Sequence, residues 1–179
     1  MSDNRLIRSC GLNVMSSIFA KLNLKNQRQI VVLNAPESFE CELRALHDVK
    51  ILRNLHDLDE IEFSLAFVTK PREVHALGTT IAKKAKGDTV VWFAYPKGTS
   101  RKYKSEINRD NEWQVLGELG FEGVRSVAID EDWSAARFRR VEFIKTMKRD
   151  QKYAMTKQGK ARPENDKRKR RYATRIHVW

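Results

Sequence analysis

The sequence predicts an α/β protein: an open, mostly parallel sheet in three layers that ends in an antiparallel hairpin. Three observations carry that reading. RQIVVLNA (28–35), IEFSLAFVT (61–69) and DTVVWFAYP (88–96) are short, continuously apolar runs, as in strands buried on both faces. Segments of helical period separate them, and strands alternating with helices imply parallel crossovers. Last, GVRSVAID (123–130) and ARFRRVEF (136–143) are joined by EDWSA (131–135), a link short enough for a hairpin.

Each element has its own signal. Leu12, Met15, Ile18, Phe19 and Leu22 recur at helical spacing, so a first helix is expected over 12–23. After the first strand, Phe39, Leu43 and Leu46 mark a short helix, and VKILRNL (49–55) reads as a second strand. Pro71 suits the first turn of a helix because its φ is already fixed there. Val74, Leu77, Gly78, Ile81, Ala82 and Ala85 then share one face, and Gly87 is expected just past the helix end. Asp110 or Asn111 is the expected cap of a helix carrying Trp113, Leu116 and Leu119, closed by Gly120. ARFRRVEF alternates apolar and charged residues, which predicts a half-exposed edge strand.

The net charge of +12 is uneven. Residues 145–179 hold 13 Lys/Arg against 3 Asp/Glu, a balance of +10, whereas 1–144 hold 22 against 20. The expected organisation is an N-terminal extension over 1–11, an α/β domain over 12–155 and a basic, disordered tail over 156–179. No run approaches the ~20 apolar residues of a membrane span. The first residues lack an apolar core of signal-peptide length, and Cys10 and Cys41 make neither a disulfide framework nor a zinc set. A cytoplasmic setting follows as an expectation.

In open α/β sheets, ligands sit outside the carboxyl ends of the strands. That rule gathers Asn34, Thr69, the loop PKGTSRKYK (96–104) and Asp130, Glu131, Asp132 and Trp133 on one rim. The loop offers Lys97, Arg101, Lys102 and Lys104 to an anion. It is not a P-loop, because no helix follows a Lys-Ser/Thr pair. The bland alternative is that its cations are solvated or pair with the acidic triplet. The triplet has the residue types for acid/base work or a hard metal, but pairing with Arg137, Arg139 or the loop lysines is the simpler expectation. Lys167, Arg168, Lys169, Arg170 and Arg171 form a second candidate surface, for polyanions.

Catalytic schemes find little support. His47, His56, His75 and His177 are scattered, and only His75 falls near the rim. The turn after the first strand, VVLNAPESF, has no glycine, although dinucleotide and S-adenosylmethionine sites use a glycine-rich turn there. Pro36 removes an N–H donor, and Arg53 and Asn54 stand where a ribose-binding carboxylate is expected.

A closing antiparallel hairpin on a parallel sheet resembles the methyltransferase-like branch of Rossmann folds. Over roughly 15–150 the chain also resembles a family of small bacterial proteins known only as a domain of unknown function. VVLNAPESFE, GDTVVWFAYPKGTSRKYK, NRDNEW (108–113), LGELGFEGVRSVAIDEDWSAARFRRVEFIKTM and TKQGKAR (156–162) carry that likeness. The resemblance implies a fold and a cytoplasmic setting, and no catalytic residue. The sequence therefore reads as a non-catalytic Rossmann-like protein without cofactor or metal, binding an anionic small molecule or partner at the rim. Two alternatives stay open: a divergent methyltransferase-like enzyme using S-adenosylmethionine, and a nucleic-acid adaptor acting through the basic tail.

Overall fold

The structure is a computed structural model that describes residues 17–56, 58–108, 112–146 and 153–161. Six strands form one sheet: β1 (Gln29–Leu33), β2 (Lys50–Leu52), β3 (Ile61–Phe67), β4 (Ala85–Pro96), β5 (Phe121–Ala128) and β6 (Trp133–Arg140). Their order is β2-β1-β3-β4-β6-β5. The β1–β2, β1–β3 and β3–β4 pairs are parallel, while β6 runs antiparallel to both β4 and β5. So β1 to β5 point one way, and β6 alone is reversed.

This corrects one expectation. β6 is not an edge strand but lies between β4 and β5, and β5 forms the edge. The alternation in ARFRRVEF reflects a poorly covered face rather than an uncovered edge.

The expected two-sided burial is present. Along β4, Val91, Phe93 and Tyr95 enter one core and Val90, Trp92 and Ala94 the other. Helix α3 (Pro71–Lys84) and the short α4 (Gln114–Glu118) complete the first core with Val74, Ile81 and Leu116. Helices α1 (Ser17–Lys21) and α2 (Glu40–Arg44) complete the second with Ile18, Phe19, Leu22 and Leu43. The result is the expected α/β sheet, Rossmann-like, with helices on both faces.

Pro71 does open α3, and the Glu73 carboxylate accepts the Thr69 and Lys70 amides at 2.7 and 3.1 Å. The far end differs from expectation. The helix stops at Lys84, and Ala85 already lies in β4. Gly87 (φ 61°) therefore serves an irregular stretch of β4, which advances five positions from Ala85 to Val90 while β3 advances two, from Ile61 to Phe63. Gly120 (φ 86°) does follow α4, as expected. Asp110 and Asn111 lie outside the described residues, and Trp113 occupies the N-cap position.

Residues expected to begin a disordered tail also carry structure. Helix α5 (Lys157–Ala161) follows a segment whose Met155 and Thr156 bond to Glu122 of β5. This strap lies beside the sheet edge. The basic run 167–171 falls outside the described residues.

Candidate functional site

Because β1, β3, β4 and β5 are parallel, their carboxyl ends share one rim, and the residues collected from the sequence meet there. Asn34 follows β1 in the left-handed conformation (φ 54°), and its side-chain amide donates to the Phe67 carbonyl at 3.4 Å. That bond ties the end of β1 to the end of β3. Left-handed backbone is what a glycine would ordinarily supply, and asparagine is the side chain that tolerates it best.

Thr69 is largely committed to its own turn. Its hydroxyl lies 3.4 Å from the Glu73 carboxylate, and its carbonyl accepts the Glu106 amide at 3.0 Å. The Ser105 hydroxyl donates to the same carbonyl. The loop after β4 is thereby fastened to the end of β3.

The loop 97–104 is also pinned to the β5–β6 hairpin, though not by the expected salt bridges. The Lys97 ammonium donates to the backbone carbonyl of Asp130 at 2.6 Å, and the Lys97 amide donates to the Asp132 carbonyl at 2.7 Å. The Asp132 carboxylate accepts the Ser100 hydroxyl at 2.7 Å. The Asp130 carboxylate turns back on its own hairpin, accepting the Asp132 and Trp133 amides at 2.8 and 2.7 Å. Arg139 pairs with Asp88 of β4, not with the acidic triplet. The Asp130 carboxylate is spent on shaping the turn and that of Asp132 on holding the loop. Among the described residues, Arg101, Lys102 and Lys104 form no salt bridge, and all three are exposed. Lys102 does lie over the Tyr103 ring, 5.3 Å from its centroid.

Asp130→Ala tests this division of labour. It removes both hairpin hydrogen bonds and no ion pair. The expected loss is about 1 kcal/mol, the usual cost of deleting a side-chain cap, read from urea denaturation. A loss that grew when ionic strength was lowered would instead identify Asp130 as a partner of the loop lysines.

Trp133 is only 3% exposed, so it is part of the wall rather than an open stacking platform. Its ring lies between Phe67 and Tyr103, at centroid distances of 5.1 and 4.9 Å. Phe39 continues the row at 5.0 Å from Phe67. The indole N–H is buried and, among the described residues, has no hydrogen-bond partner. Sequence reasoning missed the role of Tyr103, which fills the space above Trp133.

The ends of β1 and β2 do not fit an S-adenosylmethionine site of the usual design. Pro36 sits in the turn, and Arg53 after β2 is held by Glu40 at 2.7 Å. The position of a ribose-binding carboxylate is therefore occupied by a cation with its own partner. His75 is exposed on α3. Among the described residues, no helix is long and apolar enough to cross a membrane.

No protein-family model and no curated protein matches the chain. Solved structures with a similar shape include a SAM-dependent methyltransferase from Aquifex aeolicus (11% identity, TM-score 0.49, covering 71% of this chain and 89% of that one). They also include the fibrillarin pre-rRNA processing protein of Methanococcus jannaschii (15% identity, TM-score 0.44, covering 73% and 70%). A third is the N-methyltransferase NodS from Bradyrhizobium japonicum (12% identity, TM-score 0.42, covering 70% and 93%). Similarity at this level says nothing about ligand or activity.

Proposed function

We propose that this chain is a Rossmann-like, methyltransferase-like binding protein that takes an anionic ligand at the carboxyl rim without transforming it. The observation that supports this most is the state of the loop after β4. Its backbone is fixed by Lys97 and Ser100, while the cations of Arg101, Lys102 and Lys104 are exposed and, among the described residues, have no carboxylate partner. A rigid loop carrying unpaired cations favours anion capture, because little ordering is needed on binding.

A second reading, a divergent methyltransferase-like enzyme, is favoured by the sheet more than the first is. The reversed β6 between β4 and β5 is the closing hairpin that the sequence shares with that branch of folds. Asn34 also supplies a left-handed turn after β1 without a glycine. The residues at the ends of β1 and β2 speak against it.

Isothermal calorimetry separates the two. The binding reading expects heat with inorganic phosphate or pyrophosphate and none with S-adenosylmethionine. In that case Lys102→Ala combined with Lys104→Ala weakens anion binding about tenfold, with stability within about 0.5 kcal/mol, as for exposed residues. Unchanged anion affinity in the double variant would sink the rim site. Micromolar affinity for S-adenosylmethionine would establish the enzyme reading instead.

A further inference from the structure

Away from the rim, one row of side chains runs across the α1/α2 face of the sheet. Leu65 of β3, Trp92 of β4, Arg137 of β6 and Arg125 of β5 are successive partners in the strand register. The row begins as core and ends as two arginines directly opposite one another. Like charges in that relation repel. Arg139 lies two residues further along β6, on the same face.

The available carboxylates do not balance this cluster. Asp88 is bound to Arg139 through both guanidinium contacts, at 2.6 and 2.5 Å. Glu122, opposite Arg139 in the register, gives its carboxylate to Met155 and Thr156. Arg125 is exposed, and among the described residues it has no ion-pair partner. Among the described residues, the buried Nε of Arg137 has no hydrogen-bond acceptor. Burial, reinforced by Arg139 and Arg125 and only partly offset by Asp88, holds the Arg137 guanidinium below its ordinary pKa. A half-buried cation facing a second cation, with an unused donor, lacks an acceptor.

We propose that Arg125 and Arg137, with Arg139 held in place by Asp88, form a phosphate-binding site on the outer β5–β6 face. A phosphate oxyanion has the required properties. It accepts hydrogen bonds from two guanidinium groups at once and carries enough charge to relieve their repulsion. This site is independent of the rim and of its loop.

The test uses the full chain with Lys167, Arg168, Lys169, Arg170 and Arg171, and the rim residues Arg101, Lys102 and Lys104, changed to alanine, so that neither the basic run nor the rim can bind the probe. Pyrophosphate and a ten-nucleotide single-stranded DNA are titrated into this protein and into its Arg125→Ala form. The expected result is at least a tenfold loss of affinity in Arg125→Ala for whichever probe binds. Preference for the oligonucleotide identifies a phosphodiester chain as the source of the phosphate, and preference for pyrophosphate a small ligand. Without any probe, Arg125→Ala is expected to raise the thermal midpoint, because it removes a like-charge contact. Equal affinity in the presence and absence of Arg125, or no binding of either probe, overturns the proposal.

Discussion

Trp92→Ala is expected to cost about 3–5 kcal/mol, the range for deleting a large aromatic from a packed core. Trp92 is 0% exposed and sits near the middle of the sheet, between Leu65 and Arg137 on the neighbouring strands. Its indole N–H donates to the Leu22 carbonyl at 2.7 Å, just beyond α1. The residue thus fills the core and also fixes the first helix to the sheet. Trp92→Phe separates these roles. It keeps most of the apolar volume but leaves the Leu22 carbonyl without this donor, so about 1–3 kcal/mol should be lost. Both values come from urea denaturation with an unchanged m-value. Domains of this kind are held by only about 5–15 kcal/mol, so the alanine form should melt well below the native protein. A loss under 1 kcal/mol for Trp92→Ala would mean that this part of the core closes over the gap.

The strands of the parallel half were legible because burial on both faces leaves a continuous apolar run, as in IEFSLAF and VVWFAY. Position within the sheet was less legible. Alternation in ARFRRVEF reports that one face is poorly covered, and an interior strand at the end of the helical cover shows the same pattern as an edge strand. Arg140 adds to the ambiguity: it resembles a solvent-facing residue in sequence, yet it donates to the Ala82 and Ala85 carbonyls. The rim was legible in its membership, since parallel strands bring Asn34, Thr69, Lys97 and Asp130 to one edge. Its bonding was not. Whether Asp130 meets a lysine or the amides of its own turn depends on hairpin geometry, which residue types do not encode. For the same reason the aromatic row through Trp133 and Tyr103 gave no signal, because its members are far apart in the chain.

Glu122→Ala is expected to destabilise the protein by about 3 kcal/mol and to free the strap from the sheet edge. Glu122 is 1% exposed, and its carboxylate accepts the Met155 amide at 3.0 Å, the Thr156 amide at 2.8 Å and the Thr156 hydroxyl at 2.7 Å. Hydrogen bonds to a charged group contribute about 1.5–3 kcal/mol each. The total cannot exceed the free energy of docking, because a released strap regains water as its partner. The Gly159 amide donates to the same Thr156 hydroxyl at 2.8 Å, so the start of α5 depends on this arrangement. Two glycines make it specific. A Cβ on Gly159 would lie 2.2 Å from a Glu122 carboxylate oxygen, and one on Gly117 would lie 2.6 Å from the Met155 carbonyl oxygen. Gly159→Ala and Gly117→Ala should therefore release the strap while leaving the Glu122 side chain present. Hydrogen exchange reads the result directly: amides of 155–159 should lose protection in all three variants, while those of β3 and β4 keep theirs. Glu122→Gln adds a finer test. It preserves size but replaces one acceptor oxygen with a donor, which then faces the strap amides, so it should lose nearly as much as Glu122→Ala. If Glu122→Gln were as stable as the native chain, packing rather than the carboxylate would hold the strap on β5.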